Sequence, residues 1–154
     1  ASFILRFRSV FRKHGVAPSC FELEITETTL MADAKRTVRL LDELYAMGLH
    51  LSIDDFGTGY SSLSALQQFP IGTLKVDQSF VRHLPHDDND AAITRAVIAL
   101  GNSLHLKVIA EGVETAEQLD WLREVGCHEY QGFHYSRPLP PEEFLARVAR
   151  PASR

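Results

Sequence analysis

The chain has 154 residues, 45% of them hydrophobic and 23% charged, a composition typical of one soluble globular domain with a full core. A formal net charge of −4 argues against a nucleic-acid polymer as partner, because such binders usually carry a basic stripe. No apolar run approaches the roughly 18 residues that span a bilayer, and no signal peptide is evident at the start.

The two cysteines, Cys20 and Cys127, lie far apart in the sequence and lack the spacing of metal ligands. Two reduced thiols in a cytosolic protein are the simplest interpretation. We therefore expect a cytoplasmic domain, and the sequence leaves open whether the parent protein is tethered to a membrane.

Strand-like and helical segments alternate along the chain. An opening helix covers about 2–14. A second helical pattern keeps Val38, Leu41, Leu44 and Tyr45 on one face. The strand-like runs lie at about 21–26, 49–54, 73–77, 106–111 and 128–131.

Two helix starts are marked in the second half of the chain. Thr115 and Gln118 have the spacing of a capping box, which predicts the start of a helix. Pro140 and Pro141, followed by two glutamates, predict the start of a last helix that ends near Ala149.

Strands that alternate with helices pair in parallel, since each crossover returns the chain to the same end of the sheet. This predicts the α/β fold class, with about five parallel strands and flanking helices. A closed eight-stranded barrel usually needs about 250 residues. The strands therefore form either an open sheet or part of a barrel.

Polar residues gather at the carboxyl end of every predicted strand, where α/β folds keep their sites. Any single acid at such a place is more often a helix cap or a surface charge. Five successive strand ends of this kind nevertheless favour a shared site. The candidates are Glu24 and Glu27, Asp54 and Asp55, Lys75 and Asp77, Glu111 and Glu114, and Gln131.

Asp54 and Asp55 stand side by side and lead into the segment Gly57-Thr58-Gly59. Adjacent strand residues point to opposite faces, so two acids line one site only where the strand already turns into a loop. Two close carboxylates repel each other unless a cation lies between them. The glycine turn alone is a weak phosphate-loop signal, and its position directly after the acid pair strengthens that signal.

The residue types favour hard metal ions. Lys75 alone would most often be a surface lysine, but beside several carboxylates it is predicted to balance charge or to orient a nucleophilic water. The seven histidines show no zinc-ligand spacing, and carboxylate oxygens suit Mg²⁺ or Mn²⁺. Two such ions can hold a phosphate and generate hydroxide, so we expect phosphate chemistry.

Five motifs follow one another along nearly the whole chain. They are Glu24-Ile25-Thr26-Glu27, Asp54-Asp55-Phe56-Gly57-Thr58-Gly59-Tyr60-Ser61-Ser62-Leu63, Lys75-Val76-Asp77, Ala110-Glu111-Gly112-Val113-Glu114-Thr115, and Gln131-Gly132-Phe133 with Pro138 downstream. In kind and order they resemble the motifs of EAL-domain phosphodiesterases, which hydrolyse the bacterial second messenger cyclic di-GMP. The resemblance implies a modified TIM barrel with its active site at the carboxyl rim.

The resemblance also implies two metal ions, Mg²⁺ or Mn²⁺. Glu24 resembles a ligand of the first ion, Asp54 the carboxylate shared by both ions, and Asp55 a ligand of the second. Glu27 resembles the acid that anchors the loop over 56–63, a segment that the family ties to metal occupancy and dimer contacts.

Other roles carry over in the same way. Lys75 resembles the catalytic lysine near the attacking water, and Glu111 the essential acid at the water or the second ion. Gln131 resembles a polar residue of the water network. Asp77 and Glu114 also match the family's motifs, and they could support the direct ligands rather than bind the metal themselves. The expected partners are cyclic di-GMP, a second copy in a homodimer, and a linked sensory or GGDEF domain.

The chain departs from the family's pattern at its start. The sequence contains no Glu-Ala-Leu tripeptide, whose glutamate is a metal ligand in the family, and the family's asparagine ligand on a later strand is not found either. We therefore expect 1–154 to be a partial EAL domain, roughly the last five strand-helix units of a TIM-type barrel. The intact parent is expected to be an active enzyme, and the isolated fragment to be inactive.

A second class of function stays open, namely a non-catalytic receptor in which the same pocket binds cyclic di-GMP and signals to a partner. Degenerate receptors of this family typically lose the acid pair, the lysine or the glutamate after Ala110, and all are present here. The sequence therefore favours a hydrolase that linearises cyclic di-GMP in bacterial signalling.

Overall fold

The computed structural model describes residues 2–32, 34–59 and 66–149. A parallel sheet of five strands, in the order β1-β2-β3-β4-β5, is flanked by helices. The strands are β1 (Glu22–Thr26), β2 (His50–Phe56), β3 (Thr73–Val76), β4 (Lys107–Ala110) and β5 (Glu129–Tyr130). The helices are α1 (Ser2–His14), α2 (Glu27–Ala32), α3 (Ala34–Ala46), α4 (Gln78–Val81), α5 (Asp88–Ser103), α6 (Ala116–Glu124) and α7 (Pro141–Val148), with a 3₁₀ turn at Pro18–Cys20.

The predicted parallel α/β arrangement is confirmed. Each strand pairs in parallel with the next strand in chain order, so every crossover advances the sheet by one position. Within the described part of the chain the sheet is open, with β1 and β5 at its edges. The carboxyl ends of all five strands consequently lie along one rim.

The core lies between the sheet and the helices. β3 is buried along its whole length, as expected for the middle strand of a parallel sheet. Burial of one Leu or Ile side chain contributes roughly 1.5–3 kcal/mol, so a cluster of them fixes the strands relative to the helices. Its most deeply buried members are Leu30, Leu44, Leu49, Leu51, Ile53, Leu66, Leu74, Ile98 and Leu122.

Most predicted helix boundaries are confirmed, and one residue of the predicted apolar face is exposed. Thr115 and Gln118 form a reciprocal capping box at the start of α6, and α7 runs over Pro141–Val148. Tyr45 on α3 is 60% exposed, although it was assigned to the apolar face. It lies about 100° around the helix from the buried Leu44, at the margin of the stripe, where the phenol hydroxyl can remain in water.

An aromatic ladder runs along α1 and onto the chain before β1. The ring centroids of Phe3 and Phe7 are 4.9 Å apart, those of Phe7 and Phe11 are 5.9 Å apart, and those of Phe11 and Phe21 are 5.2 Å apart. Each offset pair adds roughly 0.5–1.5 kcal/mol beyond its buried area. Despite such apolar stretches, no helix in the described ranges is long and apolar enough to cross a membrane.

Candidate active site

Charged side chains from four strands meet at the carboxyl rim. Nζ of Lys75, near the end of β3, lies 2.6 Å from Oε1 of Glu24 on β1. The same atom lies 3.2 Å from Oδ1 of Asp54 on β2 and 2.6 Å from Oε1 of Glu111, which follows β4. The register explains the convergence, because Glu24 pairs with Ser52, and Ser52 and Asp54 share one face of β2. One ammonium group therefore faces three carboxylates.

Lys75 holds its proton firmly. Its side chain is only 4% exposed, and burial by itself lowers the pKa of an ammonium group. Hydrogen bonds to Glu111 and Glu24 outweigh burial, so the pKa of Lys75 is raised above its ordinary value. Near neutral pH this side chain can supply positive charge and hydrogen bonds but cannot accept a proton.

Asp54 and Asp55 share the rim because β2 changes course between them. The backbone of Asp55 is left-handed, with φ 54°, a conformation that Asp adopts more readily than most residues. The pairing of β2 with β3 shifts register between Ile53 and Phe56, as at a β-bulge. Both neighbouring carboxylates can therefore serve one site, and β2 extends two residues beyond its predicted end at Asp54.

Asp54, Asp55 and Glu111 form a candidate cation site. Each offers one carboxylate oxygen, and these oxygens lie within 4.8 Å of one another. Oδ1 of Asp54 is buried and lies 3.2 Å from the Lys75 ammonium. One ammonium group shared by three carboxylates leaves negative charge uncompensated, and an oxygen-only ligand set suits Mg²⁺ or Mn²⁺. The residues present therefore fit a divalent cation.

Two of these acids resist ionisation in the absence of a cation. Burial, followed by the charge of Asp54 and a hydrogen bond with Asp77, raises the pKa of Asp55. Burial also raises the pKa of Glu111, and the neighbouring carboxylates Asp54 and Glu24 add to this, although Lys75 opposes it. A divalent cation would favour the ionised forms and reverse the effect.

Glu24 is not one of the three acids whose oxygens lie within 4.8 Å of one another. Its side chain is 51% exposed and contacts Lys75. The sequence grouped Glu24 with Asp54 and Asp55 as metal ligands and placed Glu111 at the water or second ion. In the structure, Glu111 lies with the aspartates. Which of these acids bind metal stays a prediction.

Asp77 supports Asp55 from the next loop. Its carboxylate accepts hydrogen bonds from the backbone N–H of Ser79, at 2.9 Å, and from the Ser79 hydroxyl, and thereby caps α4. Burial tends to raise the pKa of Asp77, but the Ser79 hydrogen bonds outweigh it and lower the pKa. Asp77 is thus held as a carboxylate that can accept a hydrogen bond from Asp55.

Glu27 reaches the glycine-rich loop from the start of α2. Its Oε2 accepts hydrogen bonds from the backbone N–H groups of Gly57, at 3.0 Å, and Gly59, at 3.3 Å. A Cβ on Gly59 would lie 2.9 Å from Oε1 of Glu27, so only glycine allows this approach. Thr58 turns back and donates to the carbonyl of Asp55 at 2.8 Å. The part of the predicted loop over 60–63 lies outside the described residues.

Gln131 extends the site to β5. Its Nε2 donates to Oε1 of Glu111 at 2.6 Å, so Glu111 is held between this amide and Lys75. Val113 donates to the carbonyl of Gln131 at 3.1 Å. A Cβ on Gly132 would lie 2.2 Å from the carbonyl oxygen of Val113, so glycine permits the segments that contain these two residues to pack this closely.

A cavity of about 500 Å³ is lined by Gln131 and Glu114. Phe133, which belongs to the motif Gln131-Gly132-Phe133, also lines this cavity, although the sequence assigned it no role there. Among the lining residues that the sequence did not indicate are Gln78 and Arg137, and the Arg137 guanidinium lies 4.8 Å from the Phe133 ring centroid. The position of Arg137 between Phe133 and Pro138 of one motif was the available signal. The cavity combines aromatic, amide and charged groups.

The fold is of the (β/α)-barrel type, and its parallel strands present carboxylates, a lysine and a glutamine at one rim as a candidate metal-dependent site. A comparison with protein families identifies the family. The EAL domain matches residues 1–138, and the chain belongs to the EAL domain family.

Two relatives from Pseudomonas aeruginosa are longer than this chain. The chain is 49% identical over 142 residues to the bifunctional diguanylate cyclase/cyclic di-GMP phosphodiesterase MucR, a match covering 92% of this chain and 21% of that protein. It is 49% identical over 148 residues to the cyclic di-GMP phosphodiesterase NbdA, covering 94% of this chain and 19% of that protein. The chain thus spans about a fifth of the length of these relatives.

Solved structures agree with this assignment. The PaMucR phosphodiesterase in complex with c-di-GMP matches with a TM-score of 0.86 at 48% identity, covering 89% of this chain and 56% of that chain. Klebsiella pneumoniae BlrP1 with manganese and cyclic di-GMP matches with a TM-score of 0.74 at 40% identity, covering 80% of this chain and 32% of that chain. The predicted fold class, an incomplete (β/α) TIM-barrel type, is confirmed.

Proposed function

We propose that the protein containing this chain hydrolyses cyclic di-GMP to linear di-GMP by cleavage of one phosphodiester bond. The contact of the Lys75 ammonium with Glu24, Asp54 and Glu111 carries the proposal, because it places a fixed positive charge beside a carboxylate cluster. The similarity to MucR and NbdA, both named as cyclic di-GMP phosphodiesterases, supports the choice of substrate.

Asp54, Asp55 and Glu111, with Glu24 nearby, would hold two divalent cations, Mg²⁺ or Mn²⁺. Such ions supply a metal-activated hydroxide near neutral pH and neutralise charge on the leaving oxygen. Lys75 keeps its proton, so its role is to orient the water and to stabilise charge that develops on the phosphate.

The other residues act on the orientation of these groups. Gln131 and Lys75 both hold Glu111 through 2.6 Å contacts, so its carboxylate has a fixed direction. Glu27 fixes the backbone of Gly57 and Gly59 beside the acid pair. Held in this way, the acids need little reorganisation when substrate arrives.

The cavity beside Gln131 would take one base of the dinucleotide. Phe133 offers an aromatic face for stacking, and Arg137 offers the donors that pair with the O6 and N7 acceptors of guanine. Glu114 lines the same cavity and can accept hydrogen bonds from the base edge. A guanine dinucleotide therefore suits the chemistry of this cavity.

The test is a product assay on cyclic di-GMP with the complete protein, in Mg²⁺ and in excess EDTA. We expect linear di-GMP with Mg²⁺ and none with EDTA. Asp54→Asn should retain the fold by circular dichroism and lose turnover by roughly 10³-fold, because an amide brings no charge to hold the cations. Wild-type turnover of that variant would refute the metal assignment.

The same assay separates the hydrolase from a non-catalytic receptor. Tight binding of cyclic di-GMP without any linear product would support the receptor, which would use the same pocket to signal to a partner domain. We further propose that the parent protein carries a linked sensory or GGDEF domain; the relative MucR, of which this chain covers 21%, is named as a diguanylate cyclase as well as a phosphodiesterase. Homodimer formation through the barrel and a cytoplasmic location belong to the same proposal.

A further inference from the structure

We propose that Gln118 is a positioning residue for the candidate active site. It joins the loop over 111–115, which carries Glu111, to the end of α4, which follows directly from the strand of Lys75. This inference rests on the proposed hydrolase function and gives Gln118 a role beyond its place in a helix cap.

All the hydrogen-bonding capacity of the Gln118 side chain is used. Its Oε1 accepts from the backbone N–H of Glu114, at 2.8 Å, and of Thr115, at 3.0 Å. Its Nε2 donates to the carbonyl oxygens of Val81, at 3.2 Å, and Arg82, at 3.0 Å. A primary amide has two lone pairs on oxygen and two N–H donors, so all four are satisfied at a site that is 5% exposed.

The two halves of this amide serve different segments. The oxygen completes the capping box of α6, which any glutamate or glutamine could do. The nitrogen reaches across to α4, a helix of only four residues, Gln78–Val81, whose last carbonyls cannot all be paired within the helix. Of the residues that complete a capping box, only glutamine also has the N–H donors for this second task.

The joined segments carry groups that must meet in the site. Asp77, at the start of α4, contacts Asp55, and Lys75 precedes it by two residues. Glu111 lies at the start of the other segment and is 2.6 Å from Lys75. A displacement of one segment by about 1 Å would break this contact, and misplacement on that scale can lower a rate about 100-fold.

A second contact between the same segments is independent of Gln118. Gly112 has a φ of 68°, and a Cβ on it would lie 2.7 Å from Cβ of Gln78. The loop and α4 therefore pack backbone to backbone at one point and are joined by an amide at another. The backbone N–H of Glu111 also donates to the carbonyl oxygen of Val76 at 3.1 Å and holds the start of the loop on β3. Loss of the Gln118 bonds to Val81 and Arg82 would therefore free the far end of the loop, near Glu114, and the direction of Glu111 would depend on the remaining contacts at Val76 and Gly112.

The experiment uses two variants of the complete protein that divide the roles of Gln118. Gln118→Glu keeps the oxygen acceptors of the cap and removes the N–H donors to Val81 and Arg82. Thr115→Ala removes the cap hydroxyl, which accepts from Gln118 N at 3.2 Å, and leaves the bonds to α4 in place. Turnover of cyclic di-GMP with Mg²⁺ and amide exchange at Arg82 and Leu84 are measured for both.

We expect Gln118→Glu to lower kcat about ten- to a hundredfold with little change in KM, and to speed exchange at Arg82 and Leu84. Thr115→Ala should lower the unfolding midpoint yet leave kcat and those amides near wild type. A folded Gln118→Glu protein with wild-type kcat would overturn the proposal, as would an equal fall in kcat for Thr115→Ala.

Two further outcomes are also decisive. If Gln118→Glu does not fold, Gln118→Met takes its place with the same expectations; it buries no charge but removes the cap acceptor together with the donors, so Thr115→Ala is the control for loss of the cap. If the wild-type protein lacks turnover, the hydrolase proposal fails, and amide exchange alone then decides. Unchanged amide exchange at Arg82 and Leu84 in the folded variant would overturn the proposal that Gln118 holds the end of α4, and faster exchange would support it.

Discussion

Two lysine–glutamate pairs lie at opposite ends of the same sheet, and they differ in their exposure to solvent. At the carboxyl rim, Lys75 and Glu111 are 2.6 Å apart, with side chains 4% and 13% exposed. At the other end of β4, Lys107 and Glu129 are 2.9 Å apart, with side chains 47% and 49% exposed. Similar contact distances therefore occur in two different dielectric surroundings, and the surroundings decide the energy.

The difference also concerns charge balance. Lys107 contacts one glutamate, whereas Lys75 faces three carboxylates and cannot neutralise them alone. A buried excess of negative charge is unfavourable unless a cation joins it. The carboxyl rim could thus bind a cation, whereas the pair at the opposite end is a solvated surface contact.

The largest expected effect comes from removal of the buried ammonium group. Lys75→Ala should lower kcat by roughly 10²–10³-fold, with little change in KM, because the positive ammonium group stabilises the negative charge that develops on the phosphate in the transition state. It should also reduce the free energy of unfolding by roughly 3 kcal/mol in EDTA, the lower end for breaking a buried pair, since Glu24 is half exposed. Steady-state kinetics and urea unfolding measure both.

Lys107→Ala is the matched control for this variant, because it removes the same group from the exposed pair. A changed KM with unchanged kcat in Lys75→Ala would instead make the lysine a ground-state contact to the phosphate. Equal losses of stability in the two variants would contradict the distinction between the rims.

The second effect is a dependence of stability on pH that Mg²⁺ should suppress. The pKa values of Asp55 and Glu111 are raised in the folded chain, chiefly by burial. Their contribution to stability is therefore present below the unfolded value of about 4 and is lost as the pH rises through the folded pKa. In EDTA the urea midpoint should fall over this interval, and excess Mg²⁺ should reduce the fall.

Glu111→Gln serves as the control, because it removes one of the two titrating groups and should flatten the EDTA curve. Superimposable curves with and without Mg²⁺ would refute a cation site at Asp54, Asp55 and Glu111. Lys75 adds nothing to the slope here, since a raised lysine pKa keeps its contribution constant below about 10 and loses it only at higher pH.

Much of this arrangement could be predicted from the sequence, because local chemistry determines it. The alternation of strands and helices, the capping box at Thr115 and the start of α7 at Pro141 depend on neighbours a few residues apart. The polar residues at strand ends also follow from the order of the strands, since parallel strands present their carboxyl ends at one rim.

The remainder depends on contacts between distant segments. The left-handed backbone of Asp55 goes with a register shift against β3, which no local pattern reveals. Gln118 is visible as a cap, but its bonds to Val81 and Arg82 cross 37 and 36 residues. The spacing places Tyr45 on the same helix face as Leu41 and Leu44, yet Tyr45 is exposed, because spacing gives the direction of an apolar stripe but not its width.

The smallest effect is expected at the exposed pair and completes the contrast. Lys107→Gln keeps most of the side-chain stem and removes the charge that contacts Glu129. In the wild-type chain, the hydrogen bond with Glu129 raises the pKa of Lys107. Exposed pairs contribute about 0.2–1 kcal/mol, and salt screens them. The loss of unfolding free energy should be at most about 0.5 kcal/mol in low salt, vanish near 1 M NaCl, and leave kcat unchanged. A loss that persists in high salt would show that this lysine is part of the core rather than a solvated contact.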